Sequence, residues 1–81
     1  MEVRIRLGSG IARLAPAPVF GLELPDGATV EDLYDLLGRS HPELAPALRS
    51  ALPVVRGAHV GLEQALTQGD EVALLVPVSG G

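Results

Sequence analysis

A single amphipathic helix in the first half of the chain constrains the fold more than any other feature of the sequence. From Val30 onward the apolar residues recur at i, i+3, i+4 and i+7, so they form one stripe along one side of a helix. Thr29 is placed to cap this helix, Asp32 completes a capping box, and Gly38 is expected to end it. Because such a stripe must be buried against another element, the rest of the chain has to supply a covering layer.

Alternating residues before and after the helix predict that the covering layer is a β-sheet. Apolar and charged residues alternate over Glu2–Leu7, and apolar residues alternate again over Phe20–Leu24, which indicates two strands joined as a hairpin. A shorter helix is expected to begin at Pro42 and to be closed by Pro53. A short strand is then predicted at 54–55.

The last strand determines the topology. It follows a turn at Gly69, and its residues Val72–Val78 are the longest apolar run of the chain, which is typical of a central strand. A connection that crosses over the helix would place this strand parallel to the first one. The sequence therefore predicts an α+β fold of the β-grasp, or ubiquitin-like, class, with a mixed sheet of about four to five strands packed on one main helix and a short second helix.

Length and composition exclude several classes of function. The 81 residues suffice for one domain, 1–81, and its core must be aliphatic because aromatic residues make up only 2% of the chain. A net charge of −4 without a basic cluster argues against nucleic-acid binding. The absence of cysteine excludes disulfides, thiolate catalysis and the usual zinc sites. Without a bilayer-spanning apolar run or a signal-peptide core, a cytoplasmic protein with no membrane partner is expected.

The period of two in the last strand separates residues that face the helix from residues that face away from it. If Val72 and Leu74 face the helix, Leu75 and Pro77 lie on the opposite face, which is open to water in so small a two-layer domain. Two apolar residues beside the end of the chain favour a docking surface over an isolated exposed leucine.

The end of the chain is predicted to carry the chemistry. The tail 78–81 is expected to be flexible, and its last residues, Gly80 and Gly81, have no Cβ and can enter a narrow channel. The four residues after Pro77 span ~13–14 Å when extended. The reactive group that such a tail delivers is the α-carboxylate of Gly81, which must be activated before it can take part in acyl chemistry. Because the chain has no phosphate-binding loop, another protein is expected to supply ATP and catalysis, and no permanently bound cofactor is expected.

The segment Gly69–Gly81 closely resembles the carboxyl end of a family of ubiquitin-like sulfur carriers that includes the small subunit of molybdopterin synthase. The helix entry Pro25–Leu33 and the overall length are also similar to that family. The resemblance implies that an E1-like adenylating enzyme activates Gly81 with ATP and that a sulfur donor converts it to a thiocarboxylate. The carrier then docks on the large synthase subunit and gives its sulfur to the pterin precursor, so it is not an enzyme by itself.

The resemblance also assigns roles within the tail. Gly81 carries the adenylate and then the thiocarboxylate, and Gly80 provides the slim approach to the active site. Leu75, Val78 and Ser79 correspond to the docking end, with Pro77 beside them.

Two departures from the family pattern leave related functions open. Val76 stands where the family usually has a proline, and the turn Arg56–Gly57 stands where an asparagine-containing turn is commoner. A carrier for thiamine synthesis or tRNA thiolation, a modifier attached to lysines, and a β-grasp binding module with a passive tail are therefore alternatives.

Other side chains that could carry chemistry are interpreted as structural. His41 at a helix start and His59 near a turn are typical of caps or surface residues rather than of metal ligands. Glu31 and Asp35 lie one helical turn apart and indicate a solvated acidic face rather than an acid–base pair. Ser50 has no histidine motif near it that would make it a nucleophile.

Overall fold

The computed structural model describes residues 1–8 and 19–75, which contain a mixed sheet packed against helices on one of its faces. The sheet has the order β2-β1-β5-β3-β4, and its strands are β1 (Glu2–Leu7), β2 (Val19–Glu23), β3 (Leu52–Val55), β4 (Ala58–His59) and β5 (Glu71–Leu75). The helices are α1 (Val30–Ser40), a 3₁₀ turn at Pro42–Leu44, and α2 (Ala45–Leu48). The predicted class, a mixed sheet on one main helix and a short second one, is confirmed.

Strand β5 is central, as its apolar sequence predicts. It pairs in parallel with β1, where Ile5 is opposite Val72, and antiparallel with β3, where Val55 is opposite the same residue. Val72 and Leu74 are fully buried, because the helices cover this face of the sheet. The predicted hairpin is also present, since β1 and β2 pair antiparallel.

Helix α1 begins where the sequence predicts and ends later. The Thr29 hydroxyl accepts a hydrogen bond from the Asp32 amide at 3.3 Å, and the Asp32 carboxylate accepts one from the Thr29 amide at 2.9 Å, which completes the capping box. The prediction that Gly38 ends the helix is wrong, and the helix continues to Ser40. The residue that ends it is His41, because Pro42 forces the preceding residue out of the helical region of backbone space.

The second helical segment is shorter than predicted. It starts at Pro42, but α2 is a single turn that ends at Leu48, and Pro53 lies inside β3 instead of closing a helix. The strand accommodates this proline because its carbonyl points toward β4, where it accepts from the Val60 amide at 3.1 Å. The missing N–H of Pro53 points the same way, toward the short edge strand, so no ladder bond to β5 is lost.

The core lies between the inner face of the sheet and the helices. Burial of each of its leucines is worth about 1.5–3 kcal/mol. No helix in residues 1–8 and 19–75 is long and apolar enough to cross a membrane. Within residues 1–8 and 19–75, seven core residues have no exposed surface: Ile5, Val30, Leu33, Leu37, Leu44, Val72 and Leu74.

Candidate functional site

One of the predicted site residues, Leu75, lies in the described part of the chain, at the end of the central strand β5. It is 46% exposed and faces away from the helices, as the alternation of β5 predicts. The other predicted site residues lie outside the described residues, so their assigned roles stay predictions: Pro77, Val78, Ser79, Gly80 and Gly81.

An apolar patch surrounds Leu75 on the outer face of the sheet. The register between β3 and β5 places Leu52 directly opposite Leu75 and Val54 opposite Ala73, so the four side chains share one face. Leu52 is 42% exposed, almost as much as Leu75. We call these four residues the outer patch. The sequence gives no signal for Leu52, because only the register of β3 against β5 brings it next to Leu75.

Charged side chains of β1 border the outer patch. In the parallel pairing, Arg6 is opposite Ala73 and Arg4 is opposite Glu71. The Arg6 guanidinium donates to the Glu71 carboxylate at 2.7 Å. This hydrogen bond, with the charges of Arg6 and Arg4, holds the pKa of Glu71 below its usual range although partial desolvation opposes the shift. The outer face therefore presents an apolar patch next to the Arg6–Glu71 ion pair and the guanidinium of Arg4.

The end of β1 lies close against the end of β5. The Gly8 amide donates to the Leu74 carbonyl at 2.9 Å. A Cβ at position 8 would lie 3.2 Å from that carbonyl oxygen, so glycine permits this close approach. The contact holds β5 in place one residue before Leu75.

A buried carboxylate anchors the start of β5. Asp70 is 8% exposed, and its carboxylate accepts from the Thr67 amide at 2.8 Å and from the Arg56 guanidinium at 2.5 Å. Burial alone would raise the pKa of Asp70, but the hydrogen bonds from Thr67 and the bond and charge of Arg56 outweigh it and keep this pKa below its ordinary value. Because Arg56 belongs to the β3–β4 turn, the contact fixes β5 to its neighbouring hairpin.

Backbone geometry supports the same anchor. Arg56 and Gly57 both have positive φ angles, 52° and 80°, which gives the tight two-residue turn between β3 and β4. On the other side of β5, the Arg4 amide donates to the Asp70 carbonyl at 2.8 Å. The central strand is thus attached to both neighbours before its first residue, so its position and direction are fixed up to Leu75.

His41 and the acidic pair Glu31 and Asp35 lie away from the outer patch. His59 lies at its margin, opposite Val54. The His41 amide donates to the Leu37 carbonyl at 2.8 Å and ends α1, while its ring lies 5.4 Å from the ring of Phe20. His59 is exposed in β4, and Glu31 and Asp35 are exposed on α1. Among residues 1–8 and 19–75, no group of three His, Asp or Glu side chains is placed to hold a metal ion.

A second apolar surface lies on the helix side of the molecule, between α1, α2 and residues 59–62. Leu48 and Leu62 line this groove together with Tyr34, whose hydroxyl donates to the Ala51 carbonyl at 3.1 Å. Burial raises the pKa of Tyr34 to about 12. Leu62 is 46% exposed, the same fraction as Leu75, but it lies in this groove on the helix side.

The order of the strands, the parallel pairing of β1 with β5 and the helix across one face define a ubiquitin-like β-grasp protein. The solved structure of SAMP1 from Haloferax volcanii has this fold, with a TM-score of 0.86, 28% identity and full coverage of both chains. The complex of subunits 1 and 2 of the molybdopterin-converting factor of Helicobacter pylori contains a chain with a TM-score of 0.74 and 23% identity, again over the full length of both chains. At that identity, the second likeness concerns the fold alone.

The sequence comparisons define the family. The model of the ThiS family matches residues 12–81, and the chain therefore belongs to the ThiS family. The molybdopterin synthase sulfur carrier subunit of Chlamydomonas reinhardtii is 38% identical over 61 residues, which cover 73% of this chain and 74% of that protein. The resemblance read from Gly69–Gly81 is thus confirmed at the level of the family.

Proposed function

We propose that the chain is the sulfur carrier of molybdopterin synthesis and that the α-carboxylate of Gly81 carries the sulfur. The observation behind this proposal is the order of the sequence after the central strand. Strand β5 is held on both sides and ends at Leu75 of the exposed outer patch, and the Gly80–Gly81 end follows a few residues later in the sequence. The identity of 38% to the sulfur carrier subunit of the algal synthase supports the choice of pathway.

The chemistry requires two partners that act on the carrier in turn. An E1-like adenylating enzyme joins the Gly81 carboxylate to the AMP part of ATP, and pyrophosphate leaves. The outer sulfur of a persulfide donor then attacks the acyl carbon and AMP leaves, which gives an acyl disulfide with the donor. A thiol reductant attacks the donor's sulfur, the S–S bond breaks and a new disulfide forms, so that the thiocarboxylate is released with sulfur in place of one carboxylate oxygen. The chain has neither cysteine nor a phosphate-binding loop, which supports the assignment of both steps to partners.

Sulfur delivery requires a third partner, the large subunit of molybdopterin synthase. In this proposal the large subunit binds the pterin precursor and receives the tail in its active site, and the carrier leaves with a carboxylate at Gly81. The outer patch is the proposed contact on the carrier, because two half-exposed leucines opposite one another offer apolar area that docking can bury. Arg4 and Arg6 at its border would steer an acidic partner surface into register.

A second candidate function is suggested by the likeness to SAMP1. SAMP1, a small archaeal modifier protein, is 28% identical to this chain and has a TM-score of 0.86 over both full chains. The same fold therefore serves a protein modifier. A modifier would use the same Gly81 adenylate, but the acceptor would be an amine of another protein instead of sulfur. The two functions therefore differ in what attacks the acyl carbon and not in the carrier itself.

The proposal is tested by a reconstituted reaction. The chain is mixed with an activating enzyme, ATP and a sulfur donor, and then with the large synthase subunit and the pterin precursor. We expect molybdopterin to form in proportion to the carrier supplied, and we expect none from a control variant that carries one additional alanine after Gly81. Equal activity of the extended variant would overturn the role of the terminal carboxylate. Protein adducts in place of molybdopterin would favour the modifier function.

A further inference from the structure

Apart from two histidines, the basic side chains of the chain are all of one chemical type. The sequence contains six arginines and no lysine, and each arginine is a guanidinium that stays protonated and has no free lone pair at neutral pH. Five of these guanidinium groups are at exposed positions, on β1, on α1, at the end of α2 and in the β3–β4 turn. The six are Arg4, Arg6, Arg13, Arg39, Arg49 and Arg56.

This composition matters for a protein whose terminus is activated. In an acyl adenylate, an amine attacks the carbonyl carbon, a C–N bond forms, the C–O bond to AMP breaks, and the amine gives up a proton. A lysine on the carrier would be such an amine, presented at high local concentration to its own tail or to the tail of a second activated copy. Arginine supplies positive charge without this reaction.

The remaining amine described in the structure, that of Met1, is held in place. Its ammonium group donates to the Leu24 carbonyl at 2.6 Å. It also lies 3.5 Å from the Glu23 carboxylate and 3.5 Å from the Asp26 carboxylate. These contacts hold the Met1 nitrogen at the start of β1, at the opposite end of that strand from Leu7, which pairs with Leu74 at the end of β5.

We propose that this chain is an acyl donor without an acceptor of its own. Activated copies do not acylate themselves or one another, and a copy joined to a lysine of another protein ends the modification, because no further copy can be added to it. The inference rests on the proposed activation of Gly81. It adds that the surface of the chain offers no lysine amine to accept the activated acyl group. It predicts single-copy adducts and excludes chains of the carrier.

The test uses a matched pair of substitutions at one exposed position. Arg49 lies at the end of α2, away from the outer patch, and Arg49→Lys adds one amine while Arg49→Gln adds none. Each full-length protein is given a chemically prepared aryl thioester at Gly81, incubated at mildly alkaline pH, and analysed by intact mass. In a second arm the unmodified proteins are incubated with the activating enzyme and ATP without a sulfur donor.

We expect Arg49→Lys to form a ladder of species spaced by one carrier mass of 8.4 kDa less one water, with the isopeptide at position 49. Wild type and Arg49→Gln should give hydrolysis products only. Carrier–carrier adducts of wild type, at Met1 or elsewhere, would overturn the inference, and so would the absence of adducts from Arg49→Lys in the thioester arm. Because that arm needs no enzyme, its result is independent of the proposed function. Failure of adenylation in the second arm would count against the proposed function alone.

Discussion

Removal of the two exposed leucines of the outer patch should weaken docking far more than it changes the fold. Leu52 and Leu75 are 42% and 46% exposed, so a partner that covers them buries nearly half of each side chain. Full burial of a leucine is worth about 1.5–3 kcal/mol, and the exposed fractions therefore correspond to about 1.3–2.7 kcal/mol for the pair. We expect the double variant Leu52→Ala/Leu75→Ala to bind the large synthase subunit about ten- to eightyfold more weakly.

Titration calorimetry of the purified carrier with the large subunit measures this loss. Leu62→Ala is the matched control, because Leu62 is exposed to the same 46% but lies on the helix side. Its truncation removes the same atoms as each single substitution of the double variant and should leave the affinity within about twofold of wild type. Thermal unfolding of all proteins establishes that each is folded at the temperature of the titration.

Two outcomes would contradict the proposal that the large subunit docks on the outer patch. One is an affinity of the double variant equal to that of wild type, which would mean that the partner does not cover Leu52 and Leu75. The other is an equal loss in Leu62→Ala, which would place the contact on the groove between α1 and α2 or spread it over both faces.

Three further predictions concern the folded scaffold. Leu74→Ala, at a fully buried position of the central strand, should lower the free energy of unfolding by about 2–5 kcal/mol in urea titrations; a smaller loss would contradict the central placement of β5. Thr29→Ala should cost about 0.5–2 kcal/mol by the same assay, because the α1 cap is lost, whereas Thr29→Ser should restore most of it. The pKa of Asp70 is depressed below 3.8 in the folded state, so its contribution is present above that value and is lost as the pH falls through the folded pKa. The stability difference between wild type and Asp70→Asn should therefore be largest near neutral pH and shrink in acid, and a difference that stayed constant with pH would contradict the charged anchor.

Features fixed by local chemistry could be predicted from the sequence. The capping box at Thr29 and Asp32 needs only residues three apart, and the stripe that begins at Val30 needs only helical periodicity. The central position of β5 followed from its apolar composition, since a strand with a pairing partner on each side is buried on its inner face. The exposure of Leu75 followed from the period of two in the same strand.

Features that depend on long-range contacts could not be predicted in this way. Leu52 joins the outer patch only through the register of β3 against β5, and Arg56 reaches Asp70 across 14 residues of sequence. The predicted helix ends at Gly38 and Pro53 are wrong for the same reason. Each was inferred from the residue type alone, and the packing and pairing of the neighbouring elements override that local preference. Gly38 has no positive φ to end a helix, and it packs near the Leu48 side chain; Pro53 fits a strand because its missing N–H faces the edge.

We propose that the carboxylate of Gly81 is the working group and that the β-grasp domain carries it to the partners. The most direct measurement is the intact mass of the chain after incubation with the activating enzyme, ATP and a sulfur donor. We expect a gain of about 16 Da, the difference between sulfur and oxygen, located by fragmentation at Gly81 and absent from a variant that ends at Gly80. An unchanged mass, under conditions in which a sulfur carrier of known activity gains sulfur in the same tube, would contradict it.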